Sequence, residues 1–159
     1  MNVEIIAAKP ENVNEILGLI KELAHFEKAP DEVVLTENQL MEDLFGDKKI
    51  AEALVALVDN RIAGTAVYYT KYSTWKGKCL YLEDIIVSDG FRGCGIGKKL
   101  FSAVMRIAHE REMGRMEWQV LDWDEPAIRF YKHFGATLDP EWINGKFTNV
   151  QLKNYFEHA

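Results

Sequence analysis

Three glycines within five residues stand at Arg92-Gly93-Cys94-Gly95-Ile96-Gly97-Lys98, between an apolar strand-like stretch and a long helical pattern. Glycine lets backbone approach a ligand without a Cβ in the way, and the first amides of a following helix carry the positive end of its dipole. Arg92 and Lys98 add two cations, so the chemistry indicated is the binding of a phosphate-bearing ligand. A Walker loop needs Ser or Thr after the lysine, where this chain has Lys99, and the dinucleotide fingerprint needs glycine where Lys98 stands. What remains is Arg-x-x-Gly-x-Gly, opening a helix directly after a strand.

Two carboxylates, Glu83 and Asp84, interrupt the otherwise apolar run Cys79 to Val87. Neighbouring strand residues face opposite sides, so one or both acids must meet a cleft or water. A buried carboxylate beside a cationic amine is a natural proton acceptor, while a strand-edge salt bridge is the plainer alternative. Tyr131, in a helical stretch after Asp124, is on its own an ordinary helix aromatic. Cys79 and Cys94 share no metal-type spacing with the four scattered histidines, which predicts reduced thiols and no metal site.

The elements that must position these groups follow from periodicity. Met1 to Ala8 is a strand, and Val13, Ile16, Leu17, Ile20, Leu23 and Ala24 stripe one helix face. Thr36 and Gln39 have the spacing of a capping box that opens a second helix, which stops at Gly46. Ala53 to Val58 and Ile62 to Thr70 form a hairpin about Asp59, Asn60 and Arg61, and Cys79 to Val87 is the next strand. Ile96 to Ala108 is helical up to Gly114, Arg115 to Leu121 extended, and Asp124-Glu125-Pro126 begins a helix that ends at Gly135. Glu141 to Leu152, with its aromatic and β-branched residues around Asn144 and Gly145, predicts a closing hairpin. The order is β-α-α-β-β-β-α-β-α-β-β. No repeat and no linker divides the 159 residues, so a single domain over 1–159 is expected.

Composition narrows the setting. The chain is 48% hydrophobic and 28% charged, with 19 basic and 25 acidic side chains for a formal charge of −6. No apolar run is long enough to span a bilayer and no secretory start is evident, so a soluble cytoplasmic protein without a membrane partner is expected. The acidic balance argues against nucleic acid, which requires clustered Lys and Arg, and it suits a small cation.

The loop Arg92-Gly93-Cys94-Gly95-Ile96-Gly97 resembles the acyl-CoA pyrophosphate loop of the GNAT acetyltransferases, and the element order is similar to that fold, which implies an α+β class with a central mixed, mostly antiparallel sheet flanked by helices. Leu80-Tyr81-Leu82-Glu83-Asp84, Trp123-Asp124-Glu125-Pro126, Phe130-Tyr131-Lys132, Ile20-Lys21-Glu22-Leu23-Ala24 and Leu35-Thr36-Glu37 extend the resemblance to the diamine (spermidine/spermine) and thialysine acetyltransferases. It covers nearly the whole chain. It implies acetyl-CoA as cosubstrate, held by the backbone of Ile85, Ile86 and Val87, by Arg92, Gly93, Cys94, Gly95, Ile96, Gly97 and Lys98, and by Asp124 and Ala127. It implies Glu83 as substrate-side base and Tyr131 as the acid that protonates the departing thiolate. Substrate contacts carry over to Phe26, Glu27, Ser73, Trp75, Glu83, Asp84, Glu117, Trp118 and Gln119. Trp75 fits either an amine channel or a packed loop, and sheet packing explains Trp118 equally well.

The departures from that pattern bear on substrate. Asp124 replaces an asparagine: it can cap a helix but cannot donate as an amide would. Phe26 replaces a tyrosine, and Tyr72-Ser73-Thr74-Trp75 lacks the Asp-Pro that precedes the tryptophan of the polyamine enzymes. The implied activity is transfer of acetyl to a primary amine of a small cationic molecule, directly within a ternary complex. Lysine analogues or short diamines are expected ahead of spermidine or spermine. A protein acetyltransferase and a non-catalytic acyl-CoA sensor remain as alternatives, and a homodimer sharing its C-terminal strand region is expected by resemblance.

Overall fold

The fold is described here from a computed structural model covering residues 1–158. Five apolar segments hydrogen-bond into one sheet in chain order: β1 (Val3–Ala7), β2 (Glu52–Val58), β3 (Arg61–Ser73), β4 (Gly77–Val87) and β5 (Met116–Glu117). The first three pairings are antiparallel and the last, β4 with β5, is parallel, which is the mixed, mostly antiparallel sheet expected. The β2–β3 connection is a two-residue turn in which Asp59 and Asn60 take φ of 49° and 62°, the conformation these short polar residues tolerate.

Each face of the sheet is covered by helices whose apolar stripes match it. On one side lie α1 (Val13–Phe26) and α2 (Glu37–Phe45), where Val13, Ile16, Leu17, Leu40 and Leu44 share a core with Ala53, Val55 and Val67. Thr36 closes the capping box at the start of α2: its hydroxyl accepts from the Gln39 amide at 3.2 Å and the Gln39 side chain accepts from the Thr36 amide at 2.9 Å. On the other side α3 (Ile96–Glu110) buries Ile96, Leu100, Phe101 and Val104, with Leu100 and Ile96 against Gly64 of β3. Full burial of side chains of this size stabilises by about 1.5–3 kcal/mol each, which holds both helix layers on the sheet.

The described residues divide into two compact units, with the sheet, α1, α2 and α3 in Met1–Gln119. The second unit, from Val120, contains α4 (Glu125–His133) and α5 (Asn149–Glu157). In α4 the Asp124 carboxylate caps the Ala127 amide at 3.2 Å, Pro126 occupies the first turn, and Phe130 packs edge-on against Tyr131 and Phe134.

Two expectations are corrected. The stretch Glu141 to Leu152 is not a hairpin: residues 141–147 are irregular and α5 begins at Asn149. The reason is a second capping box, in which the Thr148 hydroxyl accepts from the Gln151 amide at 3.2 Å and the Gln151 side chain accepts from the Thr148 amide at 2.7 Å. The observed order therefore ends in α-α rather than α-β-β, and the C-terminal strand region expected to be shared in a dimer is absent among the described residues. The strand expected over Arg115 to Leu121 is also shortened, because β5 pairs with β4 only at Leu80–Met116 and Tyr81–Glu117.

Candidate active site

The short β5 shapes the site. Beyond Tyr81, the β4 edge on the β5 side carries no ladder partner among the described residues, so Leu82 to Ile86 offer open backbone on the approach to the glycine-rich turn. Ile85 and Ile86 lie on this segment, and Val87 ends the strand.

At its end the chain enters the turn. Gly93 and Gly95 both take φ of 76°, in the left-handed region where an L side chain is strained by about 1–2 kcal/mol, and Gly95 is the N-cap residue of α3. No side chain caps that helix end, so the amides of Ile96, Gly97 and Lys98 are directed outward with the dipole. Arg92 is braced: its Nε donates to the Val87 carbonyl at 3.2 Å, its Nη1 pairs with Asp89 at 2.9 Å, and its guanidinium lies 5.5 Å from the centre of the Phe26 ring. The Asp89 amide in turn donates to Glu22 at 3.0 Å, tying the loop to α1. Cys94 is an exposed free thiol, Cys79 a buried one. Gly95 and Lys98 also border an open concavity of about 700 Å³ along α3 with Ser102 and Arg106.

The carboxylates occupy the α1-side face of the same strand. Asp84 pairs with Val67 and Leu82 with Tyr68, so Glu83 is an extra residue, a β-bulge in β4. Val67 belongs to the core under α1 and α2, which sets the face of Asp84 opposite it. Glu83 accepts a long hydrogen bond of 3.4 Å from the hydroxyl of Tyr69, two residues beyond Val67 and so on the same face. The bulge therefore gathers both acids on one side, where strict alternation would have separated them. Burial, then the Glu83 and Glu27 charges, push the Asp84 carboxyl up to about 6. Burial and the Glu83 charge push Tyr69 up to about 12, so its hydroxyl remains a donor at neutral pH.

The other candidates separate into those beside this face and those away from it. Glu27 follows the last residue of α1 and its charge is felt at Asp84, whereas Phe26 lies under Arg92. Glu117 pairs with Tyr81 and binds Lys71 and Arg115, each at 3.5 Å. Trp118 instead packs edge-on against Phe101 of α3, with ring centres 5.3 Å apart, and Gln119 is exposed. Ser73 organises the β3–β4 turn, its hydroxyl accepting from the amides of Trp75 and Lys76 and from Arg115. The Trp75 side chain is 81% exposed. In the second unit Tyr131 is buried, and Asp124 and the Ala127 amide satisfy one another. Sequence reasoning did not single out Tyr69, Lys71 or Arg115; the sequence signal for the first two is alternation along β3, which places residues 67, 69 and 71 on one face, and Arg115 carries none.

A strand with an open edge, running into a left-handed glycine turn that opens a helix, is the scaffold of an acyltransferase. The chain belongs to the acetyltransferase (GNAT) family, whose model matches residues 16–136, and it is accordingly an acetyltransferase. It is 39% identical over 142 residues to the thialysine N-epsilon-acetyltransferase of Bos taurus, covering 84% of each chain. It is 34% identical over 157 residues to that of Caenorhabditis elegans, covering 97% of each. Among solved structures, an integron cassette protein from V. cholerae superposes with a TM-score of 0.80 at 25% identity, covering 99% of both chains. Among the described residues no helix is long and apolar enough to cross a membrane, and no group of three or more His, Cys, Asp or Glu is placed to hold a metal ion.

Proposed function

We propose that this protein transfers acetyl from acetyl-CoA to the terminal amine of a small cationic molecule, a lysine analogue of the thialysine type ahead of diamines and polyamines. The observation that carries the reading is the β4 bulge, which sets Glu83 and Asp84 on one face of the strand whose free edge leads into the Gly93–Gly95 turn. The residues present suit the cosubstrate: left-handed glycines at the turn, uncapped α3 amides, and unpaired β4 backbone. When bound, acetyl-CoA supplies a thioester-activated acetyl group.

In this reading the outward amides of Ile96, Gly97 and Lys98 hold the pyrophosphate, and Arg92 keeps the loop in shape through Val87 and Asp89. The β4 backbone from Ile85 to Val87 pairs with the pantetheine arm and orients the reacting carbonyl. Asp84 and Glu27 attract the substrate ammonium, and Glu83 takes its proton, directly or through a water, so that the neutral amine attacks. The Tyr131 hydroxyl returns a proton to the sulfur. Neither cysteine is needed as an acyl carrier, since Cys79 is buried and Cys94 lies in the phosphate turn, which favours direct transfer in a ternary complex.

The test is thiol release from acetyl-CoA across lysine analogues, diamines, polyamines and peptides. Turnover is expected with the small amines and greatest with thialysine. Tight CoA binding with no turnover of any amine would favour a sensor, and turnover confined to peptides a protein acetyltransferase. A homodimer belongs to the same reading and is supported by the large apolar side chains exposed at Trp142, Ile143, Phe147 and Phe156. Sedimentation equilibrium checks it.

A further inference from the structure

Beyond the two acids, the α1-side face of β4 continues into a group of opposite charge. Lys71 Nζ and Arg115 Nε both approach Glu117 Oε1 at 3.5 Å, so two cations share one carboxylate and leave one positive charge in excess. Lys71 also lies 5.3 Å from the centre of the Tyr81 ring, and Arg115 Nη2 donates to Ser73 Oγ at 3.2 Å. Tyr69 and Tyr81 stack at 5.3 Å between the two groups, forming an aromatic wall from Glu83 to Glu117.

The spacing suits a particular length of molecule. Tyr81, opposite Glu117, and Glu83 are two strand residues apart, roughly 7 Å along β4. That is the reach of an extended lysine side chain from its terminal nitrogen to its headgroup. Resting on the reading that a small amine docks its reactive nitrogen at Glu83 and Asp84, we infer that Lys71 and Arg115 bind the α-carboxylate of an amino-acid substrate while the charge of Glu117 draws in its α-ammonium. The negative end of the face takes the reacting amine, the tyrosines line the methylene or thioether stem, and the mixed end takes the zwitterionic headgroup. A diamine of equal length brings a second cation to Lys71 instead, where like charge repels it. Lys71 and Arg115 are thus specificity-determining residues, acting on substrate choice and not on the acetyl transfer.

The experiment is isothermal titration of S-(2-aminoethyl)-L-cysteine and of bis(2-aminoethyl) sulfide, the same molecule without its carboxylate, into the CoA-loaded protein, with turnover of both measured in parallel. Lys71→Met is expected to weaken the amino acid at least tenfold and to tighten the diamine several-fold. Arg115→Gln weakens the amino acid similarly, and Lys71→Arg restores it. Unchanged CoA binding and melting temperature show that the variants are folded. If both ligands move in the same direction, or neither moves, Lys71 and Arg115 are only structural ties and the inference is wrong. Opposite shifts in binding without any acetylation leave the headgroup site standing and overturn the transferase reading. Acetylation of both amines with no change of preference in Lys71→Met overturns the headgroup site alone.

Discussion

The turn before α3 follows the end of β4, whose face carries the acids, but the two regions are built in different ways. The turn is made of backbone: left-handed glycines, uncapped amides, and a single arginine braced by a carbonyl and an aspartate. The acidic face is made of side chains drawn from α1, β3, β4 and β5, brought together by one inserted residue. A backbone site tolerates changes of side chain and fails when a Cβ strains the chain. A side-chain site fails one charge at a time, and each charge alters the others.

The largest effects should separate chemistry from binding. Glu83→Gln and Tyr131→Phe are each expected to lower kcat about a hundredfold or more while the KM for acetyl-CoA stays within about twofold, measured in steady state. A rise in that KM for Glu83→Gln would mean that the two regions are not independent. Asp84→Asn addresses the crowded charge. The folded protein holds the Asp84 proton more tightly than the unfolded chain, so wild-type stability falls as pH rises from 3.8 to about 6 and is level above. The variant should therefore be more stable than wild type by about 1–3 kcal/mol at pH 8, with the difference vanishing below pH 4, as read from thermal melts at both pH values. In wild type an acid limb in kcat/KM for a cationic amine is expected near pH 6, and the variant should lose it.

Gly95→Val probes the backbone site. A β-branched residue at φ of 76° should raise the KM for acetyl-CoA roughly tenfold and leave the binding of the amine unchanged. The smallest effect lies outside both regions: Thr148→Ala removes one cap of α5 and should cost that helix about 1 kcal/mol, seen as faster amide exchange over Val150 to Tyr155 with unaltered turnover.

Why one region was legible in the sequence and the other was not follows from the range of the forces involved. Gly93, Gly95 and Gly97 report a local backbone requirement, and the Thr36 box and Asp124-Glu125-Pro126 start announce helices within four residues. The same local rule, applied to Thr148 and Gln151, identifies α5; aromatic and β-branched composition around Asn144-Gly145 pointed instead to strands. Composition is the weaker signal, because strand preference depends on a partner strand that nothing in residues 141–152 can supply by itself. Glu83 and Asp84 were recognisable as unusual, but the alternation rule placed them on opposite sides.

The sequence by itself determined the glycine turn, the helix starts and the alternating core faces, because each depends on residues a few positions apart. Only the tertiary structure decided that a bulge would put Glu83 beside Asp84, and that Glu27 would raise the charge density there. It also decided that Lys71 and Arg115 would meet on Glu117. Those decisions depend on strand register, which is set by contacts between segments tens of residues apart and shifts every side chain when one residue is inserted.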